Sequence, residues 1–208
     1  MMKKLNSIHD KTQQRAIIGV RDLFGSPFGF DFIVENGSVV EIQLVAAGIT
    51  KIPRILGDLP FLRHLILQSN RLKSLQNIEK VKNLRILNVA DNQLTNLGEL
   101  KDLKQVDSLD ISHNQIASIE ELQNMESLVV LTANHNKITS IPTFSHLKRL
   151  KTLDLADNPI EKLENLNVLE SLVNLKLNNT ALSSQEQQVL TNSLEEIKNF
   201  CLKNQKMR

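Results

Sequence analysis

The sequence predicts an α/β solenoid with a curved parallel sheet on its concave face, 3₁₀ or short helical turns on its convex face, and caps without disulfides at both ends. Three observations support this fold class. An asparagine recurs every 22 residues, apolar residues recur in the same frame, and their spacing changes from two to three within each repeat. A strict period of about 20–29 residues is the signature of a stacked-repeat protein. The asparagines are Asn70, Asn92, Asn114, Asn136 and Asn158.

The repeating unit reads L-x-x-L-x-L-x-x-N-x-L, with valine, isoleucine or alanine replacing some of the leucines. Complete copies begin at Leu62, Leu84, Val106, Leu128 and Leu150. Two incomplete copies flank these five. The copy that begins at Val39 has Ala47 at the asparagine position, and the copy that begins at Leu172 has Thr180 there. We therefore expect seven repeats over residues 39–182.

The spacing within one unit indicates its shape. Leu65 and Leu67 are two residues apart, so they point to the same face of a strand. Beyond Asn70 the apolar residues are three apart, beginning with Leu72 and Leu75, and this spacing favours 3₁₀ or short helical turns over a long α-helix. A single unit cannot bury its apolar edge alone, so neighbouring units must stack.

The pattern resembles the leucine-rich repeat family over approximately residues 39–182. The 22-residue spacing is similar to the short repeat class named after a phosphatase-regulatory protein, and residues 28–37 resemble the front end of some prokaryotic leucine-rich repeat proteins. The resemblance implies a non-enzymatic module for protein–protein interaction, such as a scaffold or a regulatory subunit, with a phosphatase as one candidate partner. The sequence itself contains no Gly-rich phosphate loop and no nucleophile motif.

The recurring asparagines are interpreted as structural. The chain turns sharply at each of them inside the stack, where buried backbone groups need partners. An amide side chain offers two donors and an acceptor, so it can bridge the turns of neighbouring repeats and form a ladder. Loss of one amide is expected to leave buried groups unsatisfied, at a cost of about 1–3 kcal/mol.

Both ends of the solenoid need caps, because its terminal repeats would otherwise expose apolar edges. At the N-terminus, residues 7–24 predict a helix capped by Ser7 or Asp10 and stopped by Gly25-Ser26-Pro27. Residues 28–34 and 39–45 then predict two strands joined by a tight turn at residues 35–38. Four phenylalanines in this region are expected to form the core of the cap or, alternatively, an aromatic docking site: Phe24, Phe28, Phe30 and Phe32.

The C-terminal cap is expected to be one helix over residues 184–204. Ser183-x-x-Glu186 and Ser184-x-x-Gln187 both fit a capping box, and Cys201 lies on the apolar stripe as a small buried residue. These boundaries predict a single domain with an N-terminal cap (1–38), seven repeats (39–182) and a C-terminal cap (183–208).

Composition limits the classes of partner and location. The net charge is +2 without a long run of one sign, which argues against a nucleic-acid or membrane partner. No apolar stretch reaches the roughly 18–20 residues of a membrane-spanning helix, and the N-terminus lacks the apolar region of a signal peptide. Cys201 is the only cysteine, so no intrachain disulfide can form. We therefore expect a cytoplasmic monomer that binds a protein partner and no cofactor.

Binding is expected on the concave face, where the side chains opposite the core are free to vary. Three rows of such positions mix apolar, acidic and small polar residues, and the chain contains no tyrosine or tryptophan. These residues usually dominate interface hot spots, so the contact is expected to be modest and polar. The predicted binding residues are His64, Ile66, Ile86, Asn88, Asp110, Val130, Thr132 and Asp154.

A fourth row, just before the asparagines, contains Asp91, His113, His135 and Asp157. Two imidazoles one repeat apart and flanked by carboxylates could hold a divalent metal or respond to pH. The favoured interpretation is that these side chains bond locally to the backbone at the turn, so no metal is expected. Two alternatives to concave-face recognition remain: a structural segment of a larger assembly, and a metal- or pH-responsive site at the His113–His135 pair.

Overall fold

A computed structural model describes residues 2–24 and 29–206. Its described part contains one eight-stranded sheet in which the strands follow their order in the sequence. The first two strands pair antiparallel, and every later pair is parallel. The strands are β1 (Phe30–Glu35), β2 (Ser38–Leu44), β3 (His64–Ile66), β4 (Ile86–Asn88), β5 (Ser108–Asp110), β6 (Val130–Thr132), β7 (Thr152–Asp154) and β8 (Asn174–Lys176).

The register of the sheet follows the sequence period. Leu65 of β3 pairs with Leu87 of β4, which pairs with Leu109 of β5, so each step advances the chain by 22 residues. The step from Ile42 to Leu65 is one residue longer. From β2 to β7, the leucine-like residues of successive repeats therefore stack in a fully buried column, and this arrangement confirms the predicted solenoid.

The convex side returns the chain by tight turns, as the three-residue spacing predicted. Short 3₁₀ helices form in most repeats, each burying one apolar side chain of the series. The return after Ile138 contains turns and no 3₁₀ helix. The 3₁₀ helices span Arg54–Asp58, Ile78–Lys80, Gly98–Leu100, Glu120–Asn124 and Leu166–Val168.

The N-terminal cap contains two helices, α1 (Met2–Asn6) and α2 (Lys11–Leu23). The predicted helix over 7–24 corresponds to α2, which starts four residues later, and α1 was not predicted. Asp10 is the N-cap of α2: its Oδ1 accepts the Thr12 N–H at 2.6 Å. Because Asp10 is the N-cap, α2 starts at Lys11, and the residues of α1 form a separate short helix before it. The predicted stop at Gly25-Ser26-Pro27 lies outside the described residues.

The phenylalanines contribute unequally to the cap core. Phe32 is buried, while Phe24 and Phe30 are partly buried against the core. Phe28 lies outside the described residues. The observed β1 and β2 begin and end within two residues of the predicted strands, and they meet at a turn with positive φ at Asn36 and Gly37.

The predicted C-terminal helix over 184–204 is broken into α3 (Ser184–Val189) and α4 (Leu194–Lys206). Ser183 and Glu186 form the expected capping box of α3. A second box explains the break: Ser193 Oγ accepts the Glu196 N–H at 3.3 Å, and Glu196 Oε2 accepts the Ser193 N–H at 3.0 Å. Cys201 is fully buried on the inner face of α4, as expected. The domain boundaries at 38 and 182 stay predictions.

Within residues 2–24 and 29–206, no helix is long and apolar enough to cross a membrane.

Candidate interaction surface

The asparagine ladder lies at the turns that follow the strands of the concave face, which is the candidate interaction surface. Asn114 Nδ2 lies 3.0 Å from the Val89 carbonyl of the preceding repeat and also donates to two carbonyls of its own turn. Its Oδ1 accepts the Leu94 N–H at 2.9 Å. All five asparagines are buried and make the equivalent bonds, which supports the structural interpretation.

The ladder ends where the sequence pattern fails. At Thr180 the hydroxyl donates to the Leu177 carbonyl at 3.1 Å, within its own turn, and does not reach the preceding repeat. The Ile160 N–H, which an asparagine at 180 would have satisfied, instead donates to the Asn158 carbonyl at 2.8 Å. The final turn is thus closed locally.

The first row of the concave face stands on the strands and is half-buried from Glu41 to Thr152. Ile86 and Val130 belong to this row, with Ser108 between them. Ile66 belongs to the second row, where it pairs with Asn88 and lies diagonal to Ile86. The three apolar members of the predicted binding residues, which we call the apolar anchors, therefore lie on one face of three strands, although Ser108 interrupts them. At one end of the row, His64 Nδ1 lies 3.0 Å from Glu41 Oε2.

In the second row, three of the predicted binding residues also shape the backbone. An Oδ1 atom of each accepts the N–H two residues further on: Ala90 for Asn88 at 2.9 Å, Ser112 for Asp110 at 3.0 Å and Ala156 for Asp154 at 3.1 Å. These are Asx turns that end the strands. This role was not predicted from the sequence, although an Asn or Asp directly after the buried strand residue, which is Leu87, Leu109 or Leu153, was a readable signal.

The acidic side chains of this surface differ in their partners. Asp154 is buried and its Oδ2 pairs with Lys176 Nζ at 3.0 Å. Asp110 Oδ1 also accepts the Ser112 hydroxyl at 2.7 Å, and no cation pairs with Asp110 in the described part of the chain. The middle of the concave face thus carries an uncompensated negative charge.

The fourth row has an unpredicted backbone feature: every member has positive φ, between 51° and 59°. Asparagine, aspartate and histidine tolerate this left-handed conformation better than other non-glycine residues, which explains the residue types. The row comprises Ala46, Ser69, Asp91, His113, His135, Asp157 and Asn179.

His113 and His135 are adjacent and stacked, with ring centroids 4.2 Å apart and planes inclined by 17°. His135 Nδ1 lies 3.0 Å from Asn134 Nδ2 and 3.6 Å from Asp157 Oδ2. Because the lone pairs of imidazole nitrogens lie in the ring plane, stacked rings do not direct them towards one shared ion. In addition, no group of three His, Cys, Asp or Glu side chains suited to a metal occurs within residues 2–24 and 29–206.

Two clefts lie at the rims of the sheet, away from the concave rows. One of about 530 Å³ opens at the rim before the strands, beside Phe61, Arg63 and Arg85. Phe61 is 55% exposed and was not singled out by the sequence pattern. Arg63 pairs there with Glu35 at 2.5 Å. A further cleft on the opposite rim is lined by Lys51, Arg71 and Lys73 among others.

Comparison with solved structures supports the fold. The chain is 31% identical to a leucine-rich repeat protein of Leptospira interrogans (TM-score 0.61), covering 67% of this chain and 38% of that one. Two Listeria monocytogenes internalins share the fold: inlF (23% identity, TM-score 0.53, 64% of this chain and 46% of that one) and internalin C2 (20%, 0.57, 87% and 89%). The chain thus spans less than half the length of two of these proteins. No curated protein sequence matches it.

A family model described as leucine-rich repeats in two copies matches four overlapping segments of the sequence: residues 60–104, 82–124, 104–146 and 126–168. Domains built from such repeats are generally modules for protein–protein interaction and are typically non-enzymatic. Because the matches together extend over residues 60–168, more than half of the chain's 208 residues, and because the strands stack in the same register, this chain belongs to the leucine-rich repeat family.

Proposed function

We propose that this protein is a non-enzymatic interaction module, a scaffold or regulatory subunit, that binds a protein partner on its concave face. The observation that carries the proposal is the half-buried state of Ile66, Ile86 and Val130 on the solvent side of the sheet. Apolar groups at such positions gain about 25 cal/mol per Å² when a partner removes them from water. The proposed binding residues are His64, Ile66, Ile86, Asn88, Asp110, Val130, Thr132 and Asp154.

The charge of the face suggests the chemistry of the partner. Asp110 lies on the sheet between the apolar anchors and the exposed Asp91, and neither aspartate has a cationic partner in the described part of the chain. A partner surface with lysine or arginine beside exposed apolar side chains would complement this arrangement. Electrostatic complementarity of this kind chiefly raises the association rate and the specificity.

The rigidity of the face also favours recognition. The Asx turns at Asn88 and Asp110 fix the ends of their strands, and the asparagine ladder fixes the turns that follow. A face that is already ordered before binding loses less conformational entropy when the partner docks. We propose that the module works as a cytoplasmic monomer, because its single thiol is buried and its caps are closed by packing.

The proposal is tested with a triple variant, Ile66→Thr, Ile86→Thr and Asp110→Asn. Threonine keeps the branched Cβ that suits a strand, and asparagine keeps the oxygen that accepts the Ser112 N–H, so we expect the variant to keep the fold. Wild-type and variant proteins are immobilised and exposed to an extract of the source organism. Bound proteins are then quantified, and each recovered partner is purified and titrated against both.

The matched control changes three exposed convex residues, Lys101, Gln123 and Ser145, to alanine. We expect the affinity for a concave-face partner to fall at least about tenfold in the concave variant and to stay unchanged in the control. Binding that survives the concave triple variant but is lost in a variant of either cap would contradict the proposal. It would instead favour the alternative of a structural segment joined to an assembly through its ends.

A further inference from the structure

The open end of the sheet at β8 is a second candidate binding site. From residues just beyond its strand, each repeat from β3 to β7 donates at least two backbone hydrogen bonds to the next repeat, and these bonds form two series. In each pair below, the N–H of the first residue donates to the carbonyl of the second. The first series joins Leu67 to Asn88, Val89 to Asp110, Ile111 to Thr132, Ala133 to Asp154 and Leu155 to Lys176, with N···O distances of 2.7–2.9 Å. The second series joins Ser69 to Ala90, Asp91 to Ser112, His113 to Asn134, His135 to Ala156 and Asp157 to Asn178, at 2.9–3.0 Å.

The last repeat has the same donors without the acceptors. Leu177 and Asn179 occupy the next positions in the two series, and their N–H groups have no acceptor within residues 2–24 and 29–206. The carbonyl of Lys151 accepts two N–H groups of the following repeat, each at 2.9 Å, whereas the equivalent carbonyl of Val173 accepts none in that part of the chain. Three backbone groups are thus arranged for a missing neighbour.

An apolar groove lies directly beside these groups. The C-terminal helices cover the end of the leucine core but leave a cleft of about 430 Å³ between themselves and β8. Val173 is 67% exposed at its mouth. The apolar lining comes from Val173, Leu175 and Leu177 on one side and Leu190, Leu194 and Ile197 on the other.

We propose that this edge binds an extended segment of a partner protein, which adds to the sheet as a ninth, parallel strand. The two series of backbone hydrogen bonds define the backbone of the added strand. Two of its carbonyls, two residues apart, face the N–H groups of Leu177 and Asn179. The groove defines the side chains of the added strand, which should be apolar at the alternate positions opposite Leu175 and Leu177. Lys176 lies between these two. Its Nζ pairs with Asp154 on the preceding strand, but its side chain is 66% exposed, so an acidic residue on the added strand is favoured on its other side.

The chain contains a segment with this chemistry, which supplies a probe. In residues 151–158 the order is Lys-Thr-Leu-Asp-Leu-Ala-Asp-Asn. When this segment is aligned in the register of the sheet, the carbonyls of its first aspartate and of its alanine face the N–H groups of Leu177 and Asn179. Its first two N–H groups would face the Val173 carbonyl. Short length and Lys176 make β8 a poor edge for unselective pairing, so binding should depend on this pattern.

The test is a titration of the ¹⁵N-labelled full chain with a synthetic peptide copying residues 151–158. We expect the amide resonances of Leu177 and Asn179 to shift most, and their hydrogen exchange to slow about tenfold or more at saturation. Val173→Lys should weaken binding about tenfold or more, whereas Leu202→Lys, a matched change on exposed α4, should not.

Two modified peptides keep the test independent of how the protein variants fold. Replacing both peptide leucines by serine should remove the groove contact, and N-methylation of the threonine amide should remove a bond to Val173; each should abolish the shifts. The proposal is overturned if the amides of Leu177 and Asn179 do not respond to the peptide or if the bound peptide is helical. Protection of both amides in a dimer of the free protein would also overturn it, since a second copy would then be the occupant.

Discussion

At the scale of single residues, asparagine and aspartate side chains supply the hydrogen bonds at the turns, which apolar side chains cannot make. The five ladder asparagines satisfy buried carbonyls and N–H groups at the turns, and the second concave row uses the same chemistry to end its strands. The left-handed row adds a third use, because short polar side chains tolerate positive φ. Three neighbouring columns thus use related residue types for three separate physical reasons.

Asn114 offers the first prediction. Asn114→Ala removes the donor to the Val89 carbonyl and the acceptor of the Leu94 N–H, both buried. We expect the free energy of unfolding to fall by about 1–3 kcal/mol. Asn114→Asp should cost more, because it keeps the acceptor but turns a negative charge towards three carbonyl oxygens.

Urea denaturation followed by circular dichroism measures this change. The control is Asn96→Ala at an exposed convex position, which should alter the free energy of unfolding by less than about 0.5 kcal/mol. Equal effects of the alanine substitutions at 96 and 114 would show that the ladder contributes no net stability.

At the scale of elements, the C-terminal cap depends on a carboxylate that joins it to the repeats. Glu186 Oε2 accepts the Ser183 hydroxyl at 2.7 Å and closes the capping box, while its Oε1 accepts the Leu163 N–H at 2.9 Å. Burial favours the protonated form of Glu186, but these hydrogen bonds outweigh it and lower the pKa of this carboxyl below its ordinary value of 4.5. The same side chain thus starts α3 and anchors it.

The second prediction follows from the direction of that pKa shift. A carboxyl with a lowered pKa in the folded state contributes stability above its unfolded pKa and loses it as the pH falls through its folded pKa. Glu186→Gln should therefore destabilise the cap by about 1 kcal/mol at pH 7, and this difference should shrink as the pH falls below 4.5.

Thermal unfolding of wild type and variant between pH 3 and pH 7 tests it. Glu195→Gln changes the net charge equally at an exposed position and serves as the control. A difference between wild type and Glu186→Gln that stays constant over this range would refute the role of the ionised carboxylate.

At the scale of the whole molecule, the stack is close to one-dimensional, because each repeat contacts its neighbours and little else. Such a molecule can open at an end without losing its centre. The C-terminal end contains a natural reporter. Cys201 lies on the buried face of α4, its Sγ is 3.5 Å from the Leu163 carbonyl, and burial raises the pKa of its thiol.

The third prediction concerns this thiol. We expect Cys201 to react with a disulfide reagent at least about 100-fold more slowly than a cysteine at exposed position 202, introduced as Leu202→Cys with Cys201→Ser. We also expect the free energy of the opening that exposes Cys201 to be smaller than that of global unfolding. Labelling rates measured over a range of urea concentrations give both values, and equal free energies would show that the cap and the repeats unfold as one unit.

Sequence periodicity was sufficient to predict the stacked sheet, the buried columns and the ladder, because each depends on residue type at a fixed interval. Features set by tertiary contact were not predictable in this way. The bond between Glu186 and Leu163 joins residues whose pairing no local pattern reveals. The break before α4 was readable from Ser193-x-x-Glu196, and the left-handed row from its aspartates and histidines, but neither feature was predicted. The concave binding residues stay a prediction.

The asparagine amides have a direction along the chain. Each reaches to the repeat before it: Asn92 to Leu67, Asn114 to Val89, Asn136 to Ile111. No amide of the ladder bonds to a repeat that comes later in the sequence. During synthesis, a repeat that has just left the ribosome can therefore close its turn on the repeat that emerged before it. The ladder lets this protein assemble vectorially, one unit at a time, at the pace of translation.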